Sequence, residues 1–388
     1  MSEQKNLISI IGKYISPGFV LMSVMIGGGF ATGREIVQYG GRFGSQGWIV
    51  GLAIALTFSI LCMLSFEIAR LYKAYDYRTH LKVYAGPLSY LYDVIYFIMS
   101  LLVMSVMASA TGNILETTMN LPYYAGVLII IIISALLNFY GKALVEKFAV
   151  GGAIALYIGY IIFAILAISG RSGNIARVFA ESDTSYMDAP SGVFSLAWIG
   201  IVYVGFNIQP LTTAFFTCEK LKTRKDTMIS GFISGFIILL PWALTYAAIL
   251  AFYPSEDVLG ASVPWLIMMM NVNPIVVAAF GLVAGWTLIA TTVGVMNGMT
   301  NRIDKQLAEN DRPPLKARTR AAISIAYLVG AVLMSRFGII AIVDKGYSLM
   351  SYGMIISFVL PLITVGAYKI FTNRSNGVDP TQNKQSAK

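Results

Sequence analysis

The chain has 388 residues, 57% of them hydrophobic and 12% charged, with a net charge of +9 and a mean hydropathy of +0.71. A soluble domain is about a quarter charged, so a string of soluble domains is excluded, and nucleic-acid binding with it. One histidine, His80, and two cysteines in or beside apolar runs, Cys62 and Cys218, exclude His/Cys metal clusters and a disulfide scaffold.

What remains is an all-α polytopic membrane protein. An apolar run of about 20 residues crosses the hydrocarbon layer as a helix. Ten such spans are read, at 8–41, 46–72, 88–117, 123–141, 147–169, 191–219, 226–253, 274–303, 317–335 and 346–372. A β-barrel needs alternating segments, and Val127–Ser134 (VLIIIIIS) does not alternate. The first run carries Lys13 and lacks a small-residue cleavage site, so it reads as a span and not as a cleaved signal.

Basic residues set the orientation. The N-terminus, the connections at 70–82, 142–147, 220–225 and 302–320, and the tail hold 22 of the 28 Lys and Arg. The other faces hold only Arg34, Arg42, Arg171, Arg177, Arg336 and Lys345. Both termini are therefore expected in the cytoplasm, with the chain in the cell inner (plasma) membrane. Residues 1–170 and 171–372 then hold five spans each and enter from opposite sides, the arithmetic of an inverted repeat. The tail, 373–388, is short, polar and expected to be disordered.

Corresponding spans of the two halves share an interruption. Span 1 reads Ser16-Pro-Gly-Phe and then Ser23-Val-Met-Ile-Gly-Gly-Gly-Phe-Ala-Thr-Gly-Arg-Glu35; span 6 reads Ala189-Pro-Ser-Gly and then Tyr203-Val-Gly-Phe-Asn-Ile-Gln-Pro210. Three successive glycines cost a helix about 1 kcal/mol each relative to alanine, and Pro210 removes a backbone hydrogen bond. Broken backbone inside a membrane is tolerated only where it is buried in protein or lines a cavity. The paired breaks therefore mark a candidate substrate site: Gly27, Gly28, Gly29 and Phe30 from span 1, with Trp198, Tyr203, Gly205, Phe206, Asn207 and Gln209 from span 6. The plainer alternative is that these glycines only let helices pack closely, as GxxxG pairs such as Gly231/Gly235 do.

A five-plus-five chain with broken spans 1 and 6 resembles the amino acid–polyamine–cation superfamily, whose fold is the LeuT type. Within it, Gly27-Gly-Gly-Phe-Ala-Thr-Gly-Arg-Glu-Ile36 is similar to the motif of the YkvI-like bacterial membrane proteins. The resemblance implies a secondary transporter with alternating access and leaves the solute open. It also implies where a coupling Na⁺ would lie, between span-1 carbonyls around Met22, Ser23, Met25 and Ile26 and the hydroxyls of Thr291 and Thr292 on span 8. A threonine can equally bond its hydroxyl to the carbonyl one turn back and need no ion. By the same resemblance Arg34 and Glu35, paired with Asp344 or Lys345 ahead of span 10, would form an outer gate; a fixed salt bridge is the alternative.

Other charges have local readings. Glu67 and Arg70, three apart, are expected to pair, and Asp93 to snorkel toward the interface with Tyr90 and Tyr92. The stretch 254–274 reads as an outer lid with a short helix. An aromatic pocket without a central acid suits a zwitterionic amino acid, its carboxylate on the glycine N–H groups, or a quaternary ammonium compound caged by rings. A lone histidine placed in a loop and no mid-span aspartate pair argue against an enzyme. The expected activity is uptake of an amino acid or related amine with Na⁺ and no other cofactor. Proton-coupled or uncoupled carriage of a quaternary ammonium compound, or ligand sensing on a transporter fold, are the alternatives.

Overall fold

The computed structural model describes residues 11–140, 142–187 and 192–375. The start of the chain, the proline ahead of span 6 at position 190 and most of the polar tail lie outside the described residues. No strand occurs among the described residues; the ten apolar runs are helical.

Span 1 is in pieces: a π-type turn at Ile11–Ile15, then α1 (Ser16–Met25), α2 (Gly28–Thr32) and α3 (Arg34–Gln38). Spans 2 and 3 are α4 (Gly47–Tyr72) and α6 (Leu88–Met119), joined through α5 (Tyr77–Tyr84). Spans 4 and 5 are α7 (Tyr123–Tyr140) and α8 (Lys142–Ile168), followed by the short α9 (Ser172–Ala180). Span 6 is α10 (Val193–Phe206), then two 3₁₀ turns at Gln209–Thr213 and Phe215–Lys220. Span 7 is α11 (Arg224–Leu250). The lid holds two short helices where one was expected, α12 (Glu256–Leu259) and α13 (Pro264–Met270). Spans 8 and 9 are α14 (Pro274–Glu309) and α15 (Ala317–Ser335). Span 10, α16, runs over Gly338–Thr372 and starts eight residues earlier than the hydropathy suggests. Asp344 and Lys345 therefore lie inside a helix, in a π-type stretch at Ile342–Tyr347, and not ahead of it.

Five of these helices (spans 2, 3, 7, 8 and 10) are individually long and apolar enough to cross a membrane. Spans 1 and 6 fall short because each is broken midway. Helix ends follow local chemistry. Thr223 and Asp226 form a reciprocal capping box at the start of α11, Asn273 accepts from the Ile275 N–H ahead of Pro274, and Asp76 accepts from the N–H groups of Arg78 and Thr79.

The packing places broken span 1 in the middle. α11 and α10 lie along α4, and α14 lies against α6 and α8, while α1 packs on α11 and the 3₁₀ turn after span 6. Polar ties hold the layers in register. Lys13 pairs with Asp226 at 2.7 Å, which also accepts from the Tyr14 hydroxyl at 2.8 Å, fixing the start of span 1 on span 7. Glu67 pairs with Arg70 at 2.7 Å as its spacing suggests, and accepts from Thr227 as well.

Asp93 departs from expectation. It does not snorkel; it ion-pairs with Arg302 of span 8 at 3.1 Å, and that guanidinium lies over the rings of Tyr77 (3.8 Å) and Tyr96 (3.6 Å). A partner on another helix costs less than carrying the carboxylate through apolar surface to the interface. His80 also departs: it lies on α5, fully buried, stacked on Phe215 at 4.0 Å with Nε2 against the Ser65 carbonyl.

Candidate functional site

The break in span 1 has two parts. α1 ends at Ile26, whose N–H donates to Met22 O, and Gly27 leaves helical geometry at φ −108° and ψ −149°. One turn later Gly33 sits at φ +79°, a left-handed conformation that a side chain resists by about 1–2 kcal/mol. That second kink is filled from the lid: the Trp265 ring lies so close that a methyl on Gly33 would stand 2.8 Å from it. The Trp265 indole N–H donates to the Tyr160 hydroxyl at 3.1 Å, and Tyr160 reaches the Phe30 carbonyl at 3.4 Å and Thr245. Lid, span 5 and span 7 thus meet on the short helix α2 and close this side of the break.

The break in span 6 follows Phe206, with Asn207 and Ile208 between α10 and the 3₁₀ turn. The two breaks meet through Glu35. Its side chain folds back against Gly29, so close that a methyl there would overlap the carboxyl oxygen at 1.9 Å. The Asn207 side chain, whose Nδ2 donates to the Tyr203 carbonyl at 3.3 Å, lies beside it, and Glu35 is only 5% exposed. The expectation of a pocket without a central acid is corrected: one carboxyl stands between the breaks. Gly33 accounts for the difference, because its kink turns α3 back over α2 where a straight helix would carry Glu35 outward.

The expected gate pairing does not form. Arg34, buried, donates to the carbonyls of Leu259 (2.5 Å) and Ala261 (3.2 Å) in the lid, and Gln38 stands between it and Asp344. Gln38 donates to Asp344 Oδ1 at 2.6 Å, and Lys345 is exposed. Among the described residues Arg34 and Glu35 have no ion-pair partner within 4 Å; Arg34 is held by neutral carbonyls on the lid, which lies nearer than span 10.

Around Glu35 the rings of Tyr39, Tyr203, Phe206 and Tyr347 form one cluster. Phe206 is its centre, 5.2, 5.1 and 5.0 Å from the three tyrosine rings. Gly205 is the small residue that lets span 10 approach: a methyl there would meet Ser351 Oγ, which donates to the Val202 carbonyl at 2.6 Å. Trp198 does not join the cluster. It is 47% exposed on the outer face of α10, stacked on Tyr352, because its position along the helix points it away from the bundle. Gln209 is half-buried, with its side-chain nitrogen enclosed and without a hydrogen-bond partner.

Tyr39, Tyr160, Tyr347 and Trp265 were not singled out by the sequence. Tyr39 had a readable signal, since it lies four residues after Glu35 and shares its helix face.

At the ion position, Thr291 stands against the break: its hydroxyl would be 2.9 Å from a methyl on Gly27. Thr292 donates to the Leu288 carbonyl at 2.8 Å, which commits its proton and leaves its oxygen lone pairs available to a cation. Met22 O and Met25 O each accept a backbone N–H at the break, from Ile26 and Gly27. Ser23 is exposed and donates to Val20 O, so its hydroxyl points along α1 and not into this corner. Among the described residues no group of three or more His, Cys, Asp or Glu side chains could hold a metal ion.

No protein-family model matches the chain, and neither does any curated protein. Solved structures do match. MhsT in complex with L-phenylalanine superposes with a TM-score of 0.60 at 15% identity, over 92% of this chain and 97% of that one. The inward-facing conformation of Mhp1 gives 0.55 at 15% identity, over 88% and 76%. A substrate-bound Na⁺-coupled sialic acid symporter gives 0.52 at 13% identity, over 92% and 87%. The fold is of the LeuT type. In a LeuT fold the broken spans 1 and 6 belong side by side at the centre of the bundle, which is where Gly29, Glu35 and Asn207 meet.

Proposed function

We propose that the chain is a secondary transporter of a small solute, an amino acid or related amine, working by alternating access in a membrane. The observation that carries this reading is the meeting of two broken spans over one buried carboxyl. Broken backbone is costly in a bilayer unless it serves a site, and here both breaks serve the same one. In this reading Gly27–Gly29 and Phe30 supply backbone groups, and Glu35, Tyr203, Phe206 and Asn207 supply side chains. The lid over Trp265 closes the outer approach.

The proposed coupling ion is Na⁺, held by the hydroxyls of Thr291 and Thr292 and by span-1 carbonyls near Met22–Ile26. Hydroxyls and carbonyls are the hard oxygen donors such a cation requires. The Na⁺-coupled sialic acid symporter among the structural relatives supports this choice. The motif Gly27–Ile36 supports membership of the YkvI-like proteins. The basic-residue count supports cytoplasmic termini, with repeats at 1–170 and 171–372. Carriage of a quaternary ammonium compound remains a second reading, favoured by the ring cluster around Phe206.

A thermal-shift screen of amino acids, betaines and amines, each with and without NaCl, tests the reading, because a ligand stabilises the fold that binds it. A solute that stabilises the protein and is taken up by proteoliposomes is expected, with both effects lost in Gly28→Leu. Unchanged uptake by that folded variant would refute the site.

A further inference from the structure

We infer that Glu35 is the anchor for a positively charged organic ammonium group, and that the solute class is set by this carboxyl together with the ring cluster around Phe206. The inference rests on the transporter reading and narrows it. Three observations carry it.

The first is a missing counter-charge. Glu35 is buried, among the described residues it has no ion-pair partner within 4 Å, and the polar side chain beside it is the neutral amide of Asn207. The neighbouring guanidinium, Arg34, is turned to the carbonyls of Leu259 and Ala261. A carboxyl desolvated in this way must take either a proton or a cation, and a cationic group that displaces the proton would be held there as an ion pair.

The second is a pair of unused hydroxyls. Tyr203 is 0% and Tyr347 1% exposed, and neither hydroxyl has a hydrogen-bond partner. Buried hydroxyls are seldom left unpaired, and these two come from spans 6 and 10 and belong to the ring cluster that Tyr39, four residues after Glu35, also joins.

The third is the wall itself. Four aromatic rings with centroids 5.0–5.6 Å apart offer their faces and edges beside that carboxyl. Rings attract weakly hydrated ammonium groups, and more strongly when these are desolvated. A proton gains nothing from them, and a sodium ion gains more from the oxygen cage at Thr291. Because Phe206 fills the middle of the cluster and is the last residue of α10, the guest enters as that ring turns away at the break.

The experiment uses the full-length protein in nanodiscs, with thermal shift and equilibrium binding as readouts. Two probe pairs differ in the ammonium alone: choline against 3,3-dimethylbutan-1-ol, and L-phenylalanine against 3-phenylpropanoate. NaCl is added as a separate arm. An ammonium probe is expected to raise the melting temperature while its partner without the ammonium does not. Glu35→Gln should weaken that probe at least about tenfold and leave the NaCl shift in place; Tyr347→Phe should weaken it a few-fold. If Glu35→Gln does not fold, Glu35→Asp and Tyr347→Phe carry the test.

Equal affinity of the parent and the Glu35 variant, equal binding of the probe lacking the ammonium, or no response to either ammonium probe overturns the inference. A solute that needs Gly28 but is indifferent to Glu35 would sink this assignment and leave the transporter reading standing. Uptake that survives Gly28→Leu would sink the site itself.

Discussion

Replacing Gly29 by alanine puts a methyl where the Glu35 carboxyl now rests. The new carbon would stand 1.9 Å from one carboxyl oxygen and 2.5 Å from the carboxyl carbon, so the group must retreat by roughly 1.5 Å to reach ordinary contact. Overpacking of this kind costs about 1–3 kcal/mol, and loss of the contact with Asn207 adds about 0.5–1.5 kcal/mol. Alanine returns about 1 kcal/mol through its helix preference. A net loss of about 2 kcal/mol is therefore expected, measured by SDS titration in mixed micelles. Gly294→Ala is the control: it has the same chemistry on α14 with no atom within 4 Å, and should be neutral or stabilising. The decisive step is the double variant. With Glu35→Ala in place the Gly29→Ala penalty should largely vanish, a coupling of about 1–3 kcal/mol between touching residues. Additive effects, or a Gly29→Ala protein as stable as the control, would mean that Glu35 does not occupy the break.

Other consequences are equally concrete. Thr291→Val with Thr292→Val should abolish stabilisation by NaCl, and either change alone should remove part of it, because each takes away one hydroxyl oxygen; a parent protein whose melting point ignores NaCl refutes the ion site. Arg302→Met should cost about 3–5 kcal/mol by stranding Asp93 in the bundle, and adding Asp93→Leu should recover much of it; a mild single variant would place that pair in water. Tyr160→Phe removes the hydroxyl that receives the Trp265 indole, so amide exchange across 256–270 should quicken while the core of α4 stays protected. Unchanged exchange in the lid would show that Trp265 is held by packing alone.

The spans were legible because hydropathy and basic-residue placement act one element at a time, and the paired breaks announced themselves through Gly27–Gly29 and Pro210. Asp93 and Arg302 could not be paired by reading, since their union depends on how span 3 packs against span 8. Glu35 was misplaced for a simpler reason. A helix continued past the glycines carries it outward, and only the left-handed turn at Gly33, itself dependent on Trp265 filling the kink, brings it back to Gly29. Trp198 erred in the opposite sense, as aromatic content near a break said nothing of which face of α10 it occupied. The start of span 10 was read late because Asp344 and Lys345 interrupt its hydropathy while the helix continues through them.

A density map of the protein with the solute identified by the screen would probe the main assignment without intermediaries. The account predicts that molecule between Gly27–Gly29 and Asn207, with its cationic end on Glu35 and Phe206 rotated aside. Density confined instead to the cavity of about 370 Å³ beside Asn113, Glu256 and Ser262, with Glu35 still resting on Gly29, would contradict it.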